Sequence, residues 1–317
     1  MSKKILLSGI QPSGQLHIGN YFGAIKQFID MQDTHQAIYM IADYHALNTV
    51  QNKEVMSQGI LDLTIDYLAL GLDPQKSIIF KQSDVSEHTE LTWIFDTITT
   101  MPFLQRAHAY KDAEANNKEI SVGVFNYPIL MACDILLYDT DVVPVGQDQK
   151  QHVEYTRDIA QKFNHVYKSE TFKLPDAKIL DEVAIILGTD GRKMSKSYGN
   201  TIPLFATDEE IEKAVKSIVT DSGGDIPQNV YAIHRLLKSE EELKSLYEEN
   251  KGKYKVLKEA LIEDMKKFIT PLREKRNQIA HDKDFVLDVL KEGGKRAKMK
   301  AEKKMDEVRE AIGVKLY

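Results

Sequence analysis

The chain has 317 residues, of which 42% are hydrophobic and 28% are charged, and its formal net charge is −6. That length allows one large or two ordinary domains, and no apolar run is long enough to span a membrane. The single cysteine, Cys133, excludes an internal disulfide and any site built from several cysteines. Because no secretory or transit segment precedes the first predicted strand, we expect a cytoplasmic protein.

The charge is unevenly distributed. Residues 251–304 carry 17 Lys and Arg against 9 Asp and Glu, a local charge of +8 that leaves −14 for the rest of the chain. Such a concentration of basic charge can steer a polyanion toward a protein that is acidic overall. The alternative is a solvated face on ordinary helices, which charge alone does not exclude.

The first predicted element is a short buried strand at Ile5–Leu7, which leads through a turn at residues 11–20 into a helix at residues 21–31. Free backbone N–H groups and the positive end of the helix dipole make this turn suitable for phosphate, and His17 and Asn20 add side-chain donors. Neither G-x-G-x-x-G nor the P-loop pattern occurs in the chain. A histidine at a helix start also serves as a cap or a packing residue, so the turn alone does not decide its role.

Two further strands are predicted at residues 37–42 and 77–81, separated by an amphipathic helix at residues 53–72. Strands that alternate with helices of this length favour right-handed crossovers and a parallel sheet. Ligands of such sheets bind at the carboxyl ends of the strands. His45, which follows the second strand, therefore points toward the site or is a turn histidine without a role.

Residues 86–118 predict helices without a strand, and residues 122–138 predict a helix that is apolar on all sides and therefore buried. Asp134 lies inside this helix, and an unpaired carboxylate there would be costly, so it must meet a donor from the protein or from a ligand. Tyr127, Met131 and Asp134 share one helical face. That face suits an aromatic ring bearing one N–H, although an aspartate bonded to nearby backbone is the alternative. The neighbouring Cys133 is predicted to be a small buried hydrophobe.

The fourth strand is predicted at residues 141–145, followed by the turn 146–149 and a helix at 150–163, on which His152 is predicted to be structural. A fifth buried strand, at 183–187, leads into a basic, glycine-bounded loop at 191–197. The first 200 residues thus predict an α/β domain.

Beyond residue 200 the composition changes. Thr207 starts a helix with an acidic first turn, and charge-rich helices continue to the C-terminus. Breaks are expected at Gly223-Gly224, Pro227, Pro271 and Gly293-Gly294. We therefore predict a separate α-helical domain at residues 201–317.

Two stretches resemble the signature motifs of class I aminoacyl-tRNA synthetases, in the same order: Pro12-Ser-Gly-x-x-His-Ile-Gly-Asn20 and Lys193-Met-Ser-Lys-Ser197. Residues 127–138 and 143–152 resemble the bacterial type of tryptophanyl-tRNA synthetase, and the resemblance covers nearly the whole chain. It implies a Rossmann-type parallel sheet, a helical insertion at 86–118 that builds a homodimer interface, and a C-terminal α-helical domain that grips the tRNA anticodon. The apolar residues of the insertion fit either that interface or the monomer core: Trp93, Ile94, Phe95 and Phe103.

The implied reaction is attack of the L-tryptophan carboxylate on the α-phosphorus of ATP, which gives tryptophanyl-adenylate and pyrophosphate, followed by transfer to tRNA(Trp). Mg²⁺ is expected to be bound by the ATP phosphates and to have no dedicated protein site. Neither a membrane nor DNA is an expected partner. The catalytic donors implied are His17, Asn20, Lys193 and Lys196. Lys111 is a further candidate for the phosphates.

The resemblance also implies two sets of binding residues. The ATP-binding residues, with Ile186 and Met194 flanking adenine and Gly146 and Asp148 at the ribose, are Gln11, Pro12, Ser13, Gly19, Asn20, Gly146, Gln147, Asp148, Ile186, Lys193, Met194, Ser195, Lys196 and Ser197. The residues that bind the amino acid, with Asp134 reading the indole N–H and Gln149 the amino group, are Leu7, His45, Tyr127, Met131, Asp134, Val143 and Gln149.

Three alternatives share parts of this pattern. A tyrosyl-tRNA synthetase has the same fold and both signature motifs. A small-molecule nucleotidyltransferase uses a similar His-x-Gly-Asn turn, but is usually shorter and lacks a basic helical C-terminal region. A catalytically inactive tRNA-binding module of synthetase origin would have no need of His17, Asn20, Lys193 and Lys196.

Overall fold

A computed structural model describes residues 3–107, 110–111, 114, 120–146, 150–179, 186–220 and 224–317 of the chain. Within these ranges five parallel strands form one sheet in the order β3-β2-β1-β4-β5. The strands are Ile5–Ile10 (β1), Gln36–Ile41 (β2), Ile78–Lys81 (β3), Val142–Val145 (β4) and Asp176–Ile179 (β5). The predicted parallel α/β fold is confirmed.

Alternate residues of the central strands enter two hydrophobic clusters, one on each face of the sheet. On β2, Tyr39 and Ile41 belong to one cluster, and Ile38 and Met40 belong to the other. A parallel sheet that is covered on both faces needs apolar residues at successive positions, which is why its strands read as continuous apolar runs.

The helices of the first 170 residues follow the predicted order. They are Ile18–Asn20 (α1), which continues through a π-helical segment at Tyr21–Ile25 into Lys26–Met31 (α2), then Asp43–Ala46 (α3), Lys53–Leu70 (α4), Glu87–Ile98 (α5), Met101–Leu104 (α6), Val122–Leu136 (α7) and Lys150–Tyr167 (α8). The helix predicted to start at Tyr21 begins three residues earlier, directly after His17.

The C-terminal helices are Asp208–Lys216 (α9), Gln228–His234 (α10), Glu240–Glu249 (α11), Tyr254–Ala280 (α12) and Lys283–Ala311 (α13). Thr207 caps α9 as predicted, because its hydroxyl accepts a bond from the Glu210 N–H while the Glu210 carboxylate accepts one from the Thr207 N–H.

The breaks predicted at Pro271 and at Gly293-Gly294 are wrong, since α12 and α13 run through them. The glycines serve packing instead. A Cβ on Gly293 would lie 1.8 Å from the carbonyl oxygen of Ile79, so glycine lets α13 approach the backbone of edge strand β3.

Helix α13 joins both hydrophobic clusters of the sheet. Its first half contributes Val286 and Leu290 to one cluster, and its second half contributes Ala301 and Met305 to the other. The C-terminal helices therefore share their core with the sheet. The domain boundary at residue 200 stays a prediction.

The strand predicted at 183–187 lies largely outside the described residues. Of its described part, Leu187 forms an isolated antiparallel bridge with Lys193, and the strand that pairs with β4 is Asp176–Ile179. Among the described residues, no helix is both long and apolar enough to cross a membrane.

The apolar residues of the 86–118 segment have different environments. Ile94 and Phe95 are buried and belong to the core, whereas 71% of Trp93 is exposed. Phe103 packs its ring against Tyr155 of α8. The core alternative holds for Ile94 and Phe95, while the predicted subunit contact stays open for Trp93.

Candidate functional site

A cavity of about 560 Å³ opens at the carboxyl ends of β1 and β4. Chain connections from β1 lead to β2 and β3 on one side, while β4 and β5 lie on the other, so the cavity sits where the strand order reverses. Parallel α/β sheets bind their ligands at this point. The cavity brings together predicted residues from both binding sets, namely Leu7, His45, Tyr127, Met131, Asp134 and Val143 with Gln11, Gly19, Asn20, Gly146 and Lys193.

Asp134, on α7, supplies a buried carboxylate to one end of the cavity and is 2% exposed. Its Oδ2 atom lies 2.8 Å from Nε2 of His45, and its Oδ1 atom accepts a hydrogen bond of 2.7 Å from the Gln82 amide. Nδ1 of His88 lies 2.7 Å from the same Oδ1. A carboxylate offers about four acceptor positions, so room for one ligand donor remains.

Burial alone would raise the pKa of Asp134, but the contacts with His45 and His88 outweigh burial and hold this pKa below its ordinary value. The carboxylate is therefore ionised at neutral pH. A negative group in an apolar wall is a strong acceptor for a single N–H.

Gln82 and His88 are site residues that the sequence analysis missed. Gln82 is fully buried directly after β3, and its side-chain oxygen accepts a bond of 3.1 Å from the Tyr44 N–H. His88 is the second residue of α5, and its Nε2 lies 2.9 Å from the Tyr138 hydroxyl. The position of Gln82 at the carboxyl end of a parallel strand, where His45 was already expected, is the signal that would have found it.

Tyr127 and Met131 complete the face of α7 that the helical spacing predicted. The Tyr127 hydroxyl lies 3.1 Å from Nε2 of His152, and its ring meets the ring of His45 edge-on at 6.2 Å between centroids. Burial raises the pKa of Tyr127 to about 12, so its hydroxyl stays protonated. His152 thus supports a wall residue, in keeping with its predicted structural role.

The turn after β1 forms the other end of the cavity. His17 is the residue before α1, and its N–H donates to the side-chain oxygen of Asn20 at 3.0 Å. Nδ1 of His17 is buried without a hydrogen-bond partner in the described part of the chain. A Cβ on Gly19 would lie 2.8 Å from that atom, so the glycine lets the ring approach the helix start.

The basic loop meets this turn. Nζ of Lys196 donates to the carbonyl oxygen of Ser13 at 2.5 Å, and Lys193 lines the cavity. The Met194 N–H donates to the carbonyl oxygen of Ile186 at 2.8 Å, and both of these side chains are buried in a hydrophobic cluster of the sheet. The two signature stretches, the first of which ends at Asn20 and the second of which begins at Lys193, are therefore in contact, and both contribute residues to the cavity.

Some predicted residues are not brought into the cavity. The described lining does not include the following predicted residues: Pro12, Ser13, His17, Ile186, Met194, Ser195, Lys196 and Ser197. Lys111 is exposed and also lies outside that lining. Gln147, Asp148 and Gln149 lie outside the described residues. Among the residues described, no group of three His, Cys, Asp or Glu side chains is placed to hold a metal ion.

Burial, and then the nearby Lys196 charge, lowers the pKa of His17 from 6.5 to about 4. The unfolded chain therefore binds more protons than the folded chain between these values, so the stability contributed by neutral His17 is complete above pH 6.5 and is lost as the pH falls toward 4. Between pH 7 and pH 5 we expect the free energy of unfolding of the wild type to fall by about 2 kcal/mol more than that of His17→Gln. Urea unfolding of both proteins at the two pH values tests this, and equal losses would contradict it.

Comparison with known proteins identifies the family. Residues 2–281 match the model of the class I tRNA synthetases (W and Y). The tryptophan–tRNA ligase of Fusobacterium nucleatum is 49% identical over 316 residues, which are 97% of each chain, and that of Rhodopirellula baltica is 44% identical over 98% of this chain and 99% of its own.

A solved structure shows the same fold. The tryptophanyl-tRNA synthetase of Campylobacter jejuni, crystallised with ADP and tryptophan, superposes with a TM-score of 0.91 at 44% identity, covering 98% of this chain and 99% of its own. The two signature stretches, the parallel sheet and the full-length similarity agree. This chain belongs to the class I tRNA synthetases of the tryptophan and tyrosine family.

Proposed function

We propose that this chain is an enzyme that activates L-tryptophan with ATP to give tryptophanyl-adenylate and pyrophosphate, and then transfers tryptophan to tRNA(Trp). One observation carries the choice of amino acid: the ionised, buried Asp134 lies in the same cavity as the two signature stretches. Relatives at 44–49% identity are tryptophan–tRNA ligases, which supports the same choice.

In this proposal the indole ring lies against Met131 and Tyr127, and its N–H donates to Asp134. The three protein groups that already contact the carboxylate fix its orientation, so no reorganisation is needed when the substrate binds. Leu7 and Val143 supply apolar walls to the cavity. An amino acid without a ring N–H would leave Asp134 with an unused acceptor in a dry environment, which disfavours that amino acid.

The nucleotide end would carry the phosphates. The side chains of Asn20, Lys193 and Lys196 would stabilise the charge that builds on the phosphates during attack by the tryptophan carboxylate. The Ile18 N–H donates instead to the carbonyl oxygen of Ile202, and the Asn20 N–H to that of His17. His17, neutral at pH 7, acts as a hydrogen-bonding group and not as a cation. These donors suit phosphate oxygens, so we propose that Mg²⁺ is held by ATP and neutralises phosphate charge from there.

Two further partners are proposed, a tRNA and a second copy of the chain. We propose that the basic C-terminal region binds the anticodon part of tRNA(Trp), that residues 201–317 act as that binding domain, and that the chain works as a cytoplasmic homodimer. Trp93, exposed on α5, supports a subunit contact by the 86–118 segment.

Pyrophosphate exchange with each of the twenty amino acids tests the proposed function. We expect ATP formation from labelled pyrophosphate with tryptophan, and at least 10³-fold less with tyrosine, because its phenol cannot satisfy the same geometry. Exchange that depends on tyrosine would reassign the chain to the other branch of its family. No exchange with any amino acid would refute the enzymatic proposal.

The contribution of the Gln82 amide to tryptophan recognition should be measurable. Gln82→Met keeps the length of the side chain but removes the donor to Asp134 and the acceptor for Tyr44. We expect the KM for tryptophan to rise about tenfold, as for the loss of one buried hydrogen bond, with the KM for ATP unchanged. The matched control is Gln58→Met on the exposed side of α4, and equal effects of both changes would contradict the role of Gln82.

A further inference from the structure

The basic loop that carries Lys193 and Lys196 is braced by one buried amide, that of Asn200. This residue is 2% exposed and follows the loop by three positions. Its side-chain oxygen accepts a bond of 2.8 Å from the Ser195 N–H, and its Nδ2 donates to the Lys193 carbonyl oxygen at 3.1 Å. One side chain therefore fixes the backbone on both sides of Met194.

The second Nδ2 bond of Asn200 goes to Asp190, at 2.7 Å from its Oδ1. Asp190 also accepts bonds from the Arg192 N–H at 3.0 Å and from Nε of Arg192 at 2.7 Å. The bond from Asn200 and those from Arg192 lower the pKa of Asp190 to about 2. Asp190 is therefore ionised at neutral pH and accepts all of these bonds. The two side chains together bond the loop at Arg192, Lys193 and Ser195.

The surrounding backbone is shaped around this amide. A Cβ on Gly188 would lie 2.3 Å from Nδ2 of Asn200, and the Thr189 N–H donates to the Asn200 carbonyl oxygen at 3.0 Å. The backbone of Gly188 and Thr189 therefore leaves the Asn200 amide little room to move. A side chain held this closely transmits its position to the backbone that it bonds.

We propose that Asn200 is a positioning residue for amino-acid activation, which sets the geometry of Lys193 and Lys196 toward the phosphates without touching a substrate. Lys193, which lines the cavity, is bonded by the Asn200 amide through its own carbonyl group. Lys196, which reaches Ser13, directly follows Ser195, whose N–H donates to the same amide. A displacement of about 1 Å at a transition-state donor is enough to slow a reaction markedly. The inference rests on the proposed function.

Asn200→Ala tests this role through the separation of kcat from KM. We expect kcat of tryptophan-dependent pyrophosphate exchange to fall about 10–100-fold, while the KM for tryptophan changes less than twofold, because Asp134 and its partners are untouched. The control is Asn164→Ala, which removes an amide that makes two bonds to Phe172 away from the cavity. That variant should keep the wild-type kcat.

A double-mutant cycle separates positioning from general structural support. If Asn200 acts through the loop lysines, the fold loss from Asn200→Ala must shrink at least threefold in a Lys196→Ala background. Equal fold losses in both backgrounds would overturn the proposal, as would an unchanged kcat in a folded Asn200→Ala protein.

A second variant covers the case in which Asn200→Ala does not fold. Asn200→Asp keeps the shape and the acceptor for Ser195, but loses both donors and sets a second carboxylate beside Asp190. It should lower kcat at least as much as Asn200→Ala. The double variant that combines Asn200→Asp with Asp190→Asn should recover part of the loss, and no recovery would count against a role for the contact between Asn200 and Asp190. A wild-type protein without tryptophan-dependent exchange would refute the proposed function itself, which is a different result from any of these.

Discussion

Asp134→Ala should lower kcat/KM for tryptophan activation by about 10³–10⁴-fold while leaving ATP binding nearly intact. The expected size follows from a site whose buried acceptor is matched to one ring N–H, since such sites gain about 10⁴ in discrimination from that contact. The change also removes the carboxylate that bonds His45 and Gln82 and that lies against His88, so part of the loss will come from a disordered wall. Pyrophosphate exchange at varied tryptophan, with ATP binding measured by calorimetry, gives both quantities.

Asp134→Asn separates charge from shape. The amide has the same volume and one remaining acceptor, so the wall should stay in place while the charge is lost. We expect an intermediate loss, and a smaller change in thermal stability than for alanine. If tryptophan-dependent exchange were unchanged in both variants, the assignment of Asp134 to the indole would be wrong.

An analogue provides an independent control. A tryptophan analogue with sulfur in place of the ring N–H has nearly the same shape but cannot donate to a carboxylate. The wild type should discriminate strongly against it, whereas Asp134→Ala should treat the analogue and tryptophan alike. Discrimination that survives the mutation would show that another group reads the ring.

Local pattern was enough for most of the fold. The central strands are apolar at every position because both faces of the sheet are covered, so their location was predictable from the sequence. The strand Asp176–Ile179 was not found, because it contains charged residues and lies at an edge of the described sheet. Gly293 was predicted to break a helix, but the glycine is needed there for a close contact with Ile79, which lies more than 200 residues earlier in the chain.

The same distinction holds for the site. Tyr127, Met131 and Asp134 lie on one helix, so their shared face follows from helical spacing alone. Gln82 lies 52 residues from Asp134 in the sequence, and its role depends on how α7 crosses the sheet. A pattern along the chain shows that a buried carboxylate needs a donor, but only the packing of distant elements shows which residue supplies it.

Lys196→Ala is the second change for which we expect a large effect, a fall of about 10²–10³-fold in the rate of tryptophan activation, as for the loss of one transition-state donor. In the structure Nζ of Lys196 bonds to the neutral carbonyl oxygen of Ser13. Its positive charge is therefore not cancelled by a direct carboxylate partner in the described contacts. Partial burial lowers the pKa of Lys196, the nearby Asp66 carboxylate opposes that shift, and the side chain stays exposed to solvent.

A cation at the edge of the cavity, without a carboxylate bonded to it, is free to interact with the charge that develops on the phosphates. The effect should therefore appear in the single-turnover rate of adenylate formation, with little change in the KM for tryptophan. Lys53→Ala, which removes one exposed positive charge at the start of α4, is the matched control and should leave the rate unchanged. If Lys196→Ala instead weakened tRNA binding and left adenylate formation intact, the loop would belong to tRNA recognition, and the stabilisation of the transition state would have to come from the α1 turn and Lys193.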